Sequence, residues 1–247
     1  MILSNCCKES KSLSRIFYWL SYKRNFFRDN PDYFAPDGLI VFVGAQGSGK
    51  TLSAVNYVYK LMELYPNCKL VSNVDLRDFP LDDSRVFPFL NNDDFARYNN
   101  GDKGVIFLVD EIQLYLNSLE SKNINLDVVA QLAQQRKQRK HIVATSQLFG
   151  RLAKPLREQF NSIVVCRNLF GFVQINQLIL RDSITDMDGA GQQVEGKVAE
   201  RFIWFHSPDM YERYNTYSVI QRGKWAAGEN QKKGVYENGF KSVSSSV

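Results

Sequence analysis

The 247 residues, 44% apolar and 23% charged, suit one α/β domain with a full core plus small additions and leave no room for a second large domain. Four cysteines (Cys6, Cys7, Cys68, Cys166) show neither metal-ligand spacing nor a disulfide framework, which makes a reducing cytoplasm the expected compartment. The net charge of +5 is modest, and no run of 18 apolar residues or signal-peptide pattern occurs, so neither a membrane span nor secretion is expected.

Residues 1–36 mix aromatic and cationic side chains, and Leu13, Ile16, Phe17 and Leu20 fall at helical spacing. This predicts an amphipathic extension whose apolar stripe packs on the core; docking to a partner protein, a membrane surface or nucleic acid is the alternative. The Ala35-Pro36-Asp37-Gly38 turn separates it from a main domain spanning 37–221. The run Leu39–Val43 predicts a buried strand. Leu52, Val55, Val58, Leu61, Met62 and Tyr65 then repeat with helical period until Pro66-Asn67.

Lys69 to Val74 predicts the next strand, and the acidic stretch from Asp75 to Lys103 predicts connections with one or two short helices. Val105 to Val109 is a continuous apolar run, as in a buried parallel strand. A helix patterned on Leu126, Val129, Ala130 and Ala133 follows, then a strand from His141 to Ser146. Ile163 to Cys166 and Phe172 to Leu180 predict strands joined through Asn168 to Gly171, and Arg201 to His206 is a further candidate. Asp182 to Glu200 predicts a loop, and 222–247, rich in Gly, Lys and Ser, a flexible tail.

The chemistry begins between the first strand and first core helix, where Gly44, Ala45, Gln46, Gly47, Ser48, Gly49, Lys50 and Thr51 match the phosphate-binding P-loop pattern in its strand-loop-helix setting. The glycines let backbone N–H groups approach phosphates at a helix N-terminus, Lys50 reaches the β- and γ-phosphates, and Thr51 ligates Mg²⁺. Asp110 and Glu111 close an apolar strand and Gln147 follows another, so all three belong at the carboxyl ends of strands beside the loop. Asp110 is the expected metal partner of Thr51, and Glu111 the group that directs water. Gln147 is a candidate contact to the γ-phosphate or that water, against a plain polar loop residue. The bland reading of Asp110 and Glu111 is an acidic turn.

Arg136, Lys137, Arg139, Lys140, Arg151, Lys154 and Arg157 form a basic segment opposed only by Glu158. Such a cluster suits a polyanion, with a solvated face as the alternative. Arg136, Arg139 and Arg157 are candidates for a cation that meets the developing phosphoryl charge, often supplied by a neighbouring subunit.

Taken together, GAQGSGKT, LVSNV, VIFLVDEIQ, AQQRKQRK and HIVATSQ resemble the FtsK/HerA group of P-loop ATPases, above all phage genome-packaging ATPases and the zonula occludens toxin-like assembly ATPases of filamentous phages. The resemblance covers Leu39 to Arg167, and Leu156-Arg157-Glu158 stands where these families carry an arginine. It implies a P-loop NTPase fold of the RecA/FtsK-like kind, a mostly parallel sheet flanked by helices on both faces. It also implies a homo-oligomeric ring that hydrolyses ATP with Mg²⁺ to move double-stranded DNA. In that ring Asp110 holds the metal, Glu111 is catalytic, Gln147 senses the γ-phosphate and the finger acts in trans.

Filamentous-phage assembly ATPases carry a membrane-spanning helix after the core, and no such stretch follows Arg181. This favours genome packaging with capsid or portal partners over assembly or secretion at a membrane with phage assembly proteins. Glu111 argues against a third class, a nucleotide-switched binding module with negligible turnover.

Overall fold

The computed structural model describes residues 18–19, 21–36, 38–77, 79, 83–116, 135–184 and 196–214. The apolar runs become strands of one eight-stranded sheet: β1 (Gly38–Val43), β2 (Lys69–Ser72), β3 (Val86–Pro88), β4 (Val105–Val109), β5 (Lys140–Ser146), β6 (Phe160–Leu169), β7 (Val173–Ile184) and β8 (Gly196–Phe205). Their order is β3-β2-β4-β5-β1-β6-β7-β8. The first six run parallel, β7 is antiparallel to β6, and β8 is antiparallel to β7.

Strands β1 and β4 carry continuous apolar runs, and β5 is buried along its whole length, because both faces are covered. Helix α2 (Lys50–Leu64) lays Leu52, Val55, Val58 and Met62 over one face, against Phe42, Ile106, Leu108, Val143 and Val164. The opposite face, with Val41, Phe107, Val109 and Ile142, is covered by Phe95 of α3 (Asp94–Arg97), Ile112, Leu116, Phe149 and Leu156 of α4 (Lys154–Arg157). Among the described residues, the mostly parallel sheet thus carries one long helix on one side and short helical turns on the other.

Several elements differ from the sequence expectation. β2 stops at Ser72 rather than Val74, because Ser72 Oγ accepts the Val74 N–H at 3.0 Å and turns the chain. β6 extends from Phe160 to Leu169 and β7 reaches Ile184; their antiparallel pairing supports polar positions that carry no apolar signal. Gly196–Glu200, expected in a loop, belongs to β8, and the acidic stretch includes strand β3 beside β2.

Helix α1 (18–19 and 21–29) does not lay its aromatic side chains on the core: Tyr18, Trp19, Tyr22 and Phe27 are 76%, 52%, 60% and 41% exposed. Phe26 meets Tyr33 edge-on with ring centroids 4.8 Å apart. Leu13, Ile16, Phe17, Leu20, the pattern from Leu126 to Ala133 and the segment 222–247 lie outside the described residues. A short helix, α5 (Pro208–Glu212), follows β8.

Phe107 is fully buried at the centre of β4 and packs on Phe95 with centroids 5.1 Å apart. Phe107→Ala is expected to lower stability by about 3–5 kcal/mol, through lost burial and the cavity left behind. The shift of the urea unfolding midpoint measures it.

Candidate nucleotide-binding site

The loop of residues 44–49 leaves the carboxyl end of β1 and feeds α2, whose N-cap is Gly49 with φ 78°. Two of its glycines are required by their surroundings. A Cβ on Gly49 would lie 2.1 Å from Gln174 Oε1, in a backbone region that L side chains rarely adopt. One on Gly44 would lie 2.4 Å from Ser48 Oγ and 2.8 Å from the Cys166 carbonyl, because β6 runs close beside the loop. Ser48 Oγ is buried and, among the described residues, makes no hydrogen bond.

Because β1, β4 and β5 are parallel, their carboxyl ends lie on one edge of the sheet, and the acids reach the loop there. Thr51 Oγ1 donates to Asp110 Oδ1 at 2.9 Å, and Thr145 Oγ1 donates to the same oxygen at 2.5 Å. The Thr145 hydroxyl also accepts the Glu111 N–H at 2.9 Å. Asn73 clamps the Asp110 backbone from the other side: its Oδ1 accepts the Asp110 N–H at 2.8 Å and its Nδ2 donates to the Asp110 carbonyl at 2.9 Å.

Glu111 adopts a left-handed backbone, φ 50° and ψ 52°, a conformation that costs a non-glycine residue about 1–2 kcal/mol. Its carboxylate sits 3.3 Å from Lys50 Nζ, in a largely buried ion pair, and accepts a hydrogen bond from Gln113 Nε2. The strained turn directs Glu111 at the glycine loop while Asp110 faces Thr51.

These groups fit a Mg–nucleotide. The Cβ-free cradle at Gly44 and Gly49, the unsatisfied Ser48 hydroxyl and the buried cation of Lys50 suit phosphate oxygens, and Thr51 with Asp110 offers hard oxygen donors. No cluster of three or more His, Cys, Asp or Glu with metal-binding geometry occurs among the described residues. Magnesium needs none, since it binds through one or two protein oxygens plus phosphate and water. Burial pushes the Asp110 pKa above its ordinary value, while the bonds from Thr145 and Thr51 pull it down.

Gln147 follows β5 directly at the same edge and is half-buried. Among the described residues no hydrogen bond links it to Lys50, Asp110 or Glu111. The arginines lie elsewhere. Arg139 precedes β5 and Arg157 ends α4, just before β6, so both stand at the amino ends of the parallel strands. A seven-residue strand separates Arg139 from Ser146, about 20 Å. Arg139 therefore cannot reach the phosphate loop of its own chain, and its guanidinium instead covers the Tyr33 ring at 4.0 Å. The Arg136 side chain is outside the described residues. Lys140 is withdrawn from the basic surface: it is buried, its Nζ donates to the Phe95 carbonyl at 2.7 Å, and burial pushes its pKa down.

Asn73, Gln113, Thr145 and Gln174 were not singled out from the sequence. Asn73 and Thr145 carried the same signal that marked Gln147, a polar residue at or near the carboxyl end of an apolar strand. Gln113 and Gln174 carried none, since only the fold brings them to Glu111 and the loop.

No protein-family profile and no curated protein sequence matches the chain. Solved structures similar to it include the N-terminal domain of zonular occludens toxin from Neisseria meningitidis, with 15% identity, TM-score 0.47, and coverage of 73% of this chain and 100% of that one. Another is the genome packaging NTPase B204 from Sulfolobus turreted icosahedral virus 2 in complex with ATP-gammaS, with 13% identity, TM-score 0.45, and coverage of 70% and 98%.

The raised pKa of Asp110 means that its ionised form is disfavoured in the fold, a cost absent at low pH and present once pH exceeds the folded pKa. Without divalent metal at neutral pH, Asp110→Asn is therefore expected to raise the urea midpoint while abolishing the Mg²⁺ dependence of nucleotide binding. Denaturation and nucleotide titrations with and without Mg²⁺ measure the two effects.

Proposed function

We propose that the chain is an ATP-hydrolysing motor that translocates double-stranded DNA, of the viral genome-packaging type, working as a homo-oligomeric ring. The observation that carries the enzymatic half is the convergence of Lys50, Thr51, Asp110 and Glu111 within direct contact distances, from a helix start and a separate strand tip. The loop N–H groups and Lys50 would bind the phosphates, and Thr51 and Asp110 would hold Mg²⁺. Bound there, the metal supplies positive charge to the phosphate oxygens. Glu111 would orient water and take its proton as the terminal phosphoryl group departs.

The basic amino edge supports the DNA half. Arg139 and Arg157 occupy it, with exposed Lys137 and Lys154 nearby. Because this edge lies across the sheet from the phosphate loop, a finger from Arg139 or Arg157 would serve a neighbouring subunit. A second reading, an assembly or secretion ATPase of the toxin-like kind with phage assembly proteins as partners, is favoured by the exposed aromatic side chains of α1 and of the β6–β7 turn. No helix among the described residues is long and apolar enough to cross a membrane.

ATPase assays with and without duplex DNA separate the readings. Packaging predicts turnover that rises with DNA and a DNA affinity that drops steeply with salt; turnover indifferent to DNA, with no affinity for it, transfers support to assembly. Lys50→Ala should abolish nucleotide binding or turnover, whereas Glu111→Gln should retain binding and lose at least 100-fold in kcat, about the contribution of a positioned general base. In mixed rings, inactivity of Arg139→Ala rescued by wild-type neighbours identifies a finger in trans, and unaffected turnover removes Arg139 from that role.

A further inference from the structure

A P-loop presents its N–H groups to phosphate, which turns its carbonyl oxygens toward the protein, where each needs a donor. For Ser48 the donor is Gln174, a fully buried residue of β7: Gln174 Nε2 donates to the Ser48 carbonyl at 3.0 Å. A trans peptide is planar, with its C=O and N–H antiparallel. Tying the Ser48 carbonyl to Gln174 therefore aims the Gly49 N–H the opposite way, away from Gln174.

The other bonds of Gln174 fix its amide. Nε2 also donates to Asn176 Oδ1 at 2.9 Å, so both amide hydrogens meet acceptors. Rotating the amide by 180° would set Oε1 against both, which leaves one orientation. In it, Oε1 lies 3.2 Å from His206 Nε2, so that nitrogen carries the proton and donates. His206 Nδ1 then faces the Tyr211 hydroxyl, which also lies 3.2 Å from the Gly171 carbonyl. Burial lowers the His206 pKa, more than a bond with the Gly171 backbone raises it, in keeping with a neutral imidazole. Gly49 completes the arrangement, since any Cβ there would displace the Gln174 amide.

We propose that Gln174, held in orientation by His206, is a positioning residue for nucleotide binding that sets the Ser48–Gly49 peptide plane and so aims the Gly49 N–H at phosphate. This rests on the nucleotide reading above. The interaction serves the bound nucleotide throughout the reaction, so its loss raises KM and leaves kcat nearly unchanged.

The test measures Kd for a fluorescent ATP analogue with Mg²⁺, and KM and kcat, on the full chain. Gln174→Leu is expected to raise Kd about tenfold, since the Ser48 carbonyl loses its buried donor. His206→Ala, at a partly exposed position, should weaken binding about threefold. His206→Gln, whose amide can donate to Gln174 Oε1, should restore it. Urea midpoints report folding separately, and if Gln174→Leu does not fold, the His206 pair decides. A folded Gln174→Leu with wild-type Kd, or a His206→Ala defect that His206→Gln does not repair, overturns the proposal. Failure of the wild-type protein to bind the analogue overturns this proposal together with the nucleotide reading, whereas normal wild-type binding with unaffected variants overturns this proposal alone.

Discussion

The Thr145 hydroxyl, near the tip of the strand between β1 and β4, makes two bonds on which the site depends. It accepts the Glu111 N–H and donates to Asp110 Oδ1. A hydroxyl has one proton and two lone pairs, so it can accept from a backbone amide and donate to a carboxylate at once. Neither neighbour alone would hold the turn. The Glu111 N–H sits in a left-handed bend that strains its residue, and Asp110 is a half-buried carboxylate whose ionised form burial disfavours. Asn73 closes the other side by pairing with both backbone groups of Asp110. The strand order makes this possible, because β4 lies between β2 and β5 and each neighbour contributes a polar side chain at the same edge.

Elements whose signal is local were legible in the sequence. The run Val105–Val109 reads as a strand buried on both faces, and α2 shows its stripe between a glycine loop and Pro66-Asn67. The placement of Lys50 beside Glu111 and Thr51 beside Asp110 also followed, since parallel strands end on one edge. The apolar centre of the hairpin β6–β7 was legible, but its outer ends and the start of β8 were not: their polar residues are stabilised by ladder pairing and by neighbours from distant segments. Gln174 shows the difficulty. In sequence it is a polar residue in an alternating strand; only register and the path of β6 past the loop make it a neighbour of Ser48 and Gly49.

The arginines show a different limit. Charge clustering in sequence indicates that cations are close together, but not which edge of the sheet they occupy. A parallel strand separates its two ends by its full length, so residues just before β5 and just after it fall on opposite edges. Arg139 and Gln147, eight positions apart, are thereby divided between the cation-rich edge and the phosphate loop. The stacking of Arg139 on Tyr33 also ties the basic edge to the segment that follows α1.

One cation between two anions provides the last link between architecture and chemistry. Lys50 is largely buried, and its ammonium lies against the Glu111 carboxylate. A phosphate at the loop would compete for the same ammonium, and the two anions cannot both hold it at full strength in so dry a setting. Besides Lys50, Glu111 has the bond from Gln113 and the backbone support of Thr145. The geometry thus sets Lys50 between the Glu111 carboxylate and the loop. It also gives a physical reason for a lysine in the loop and an acid in a strained turn to be in contact.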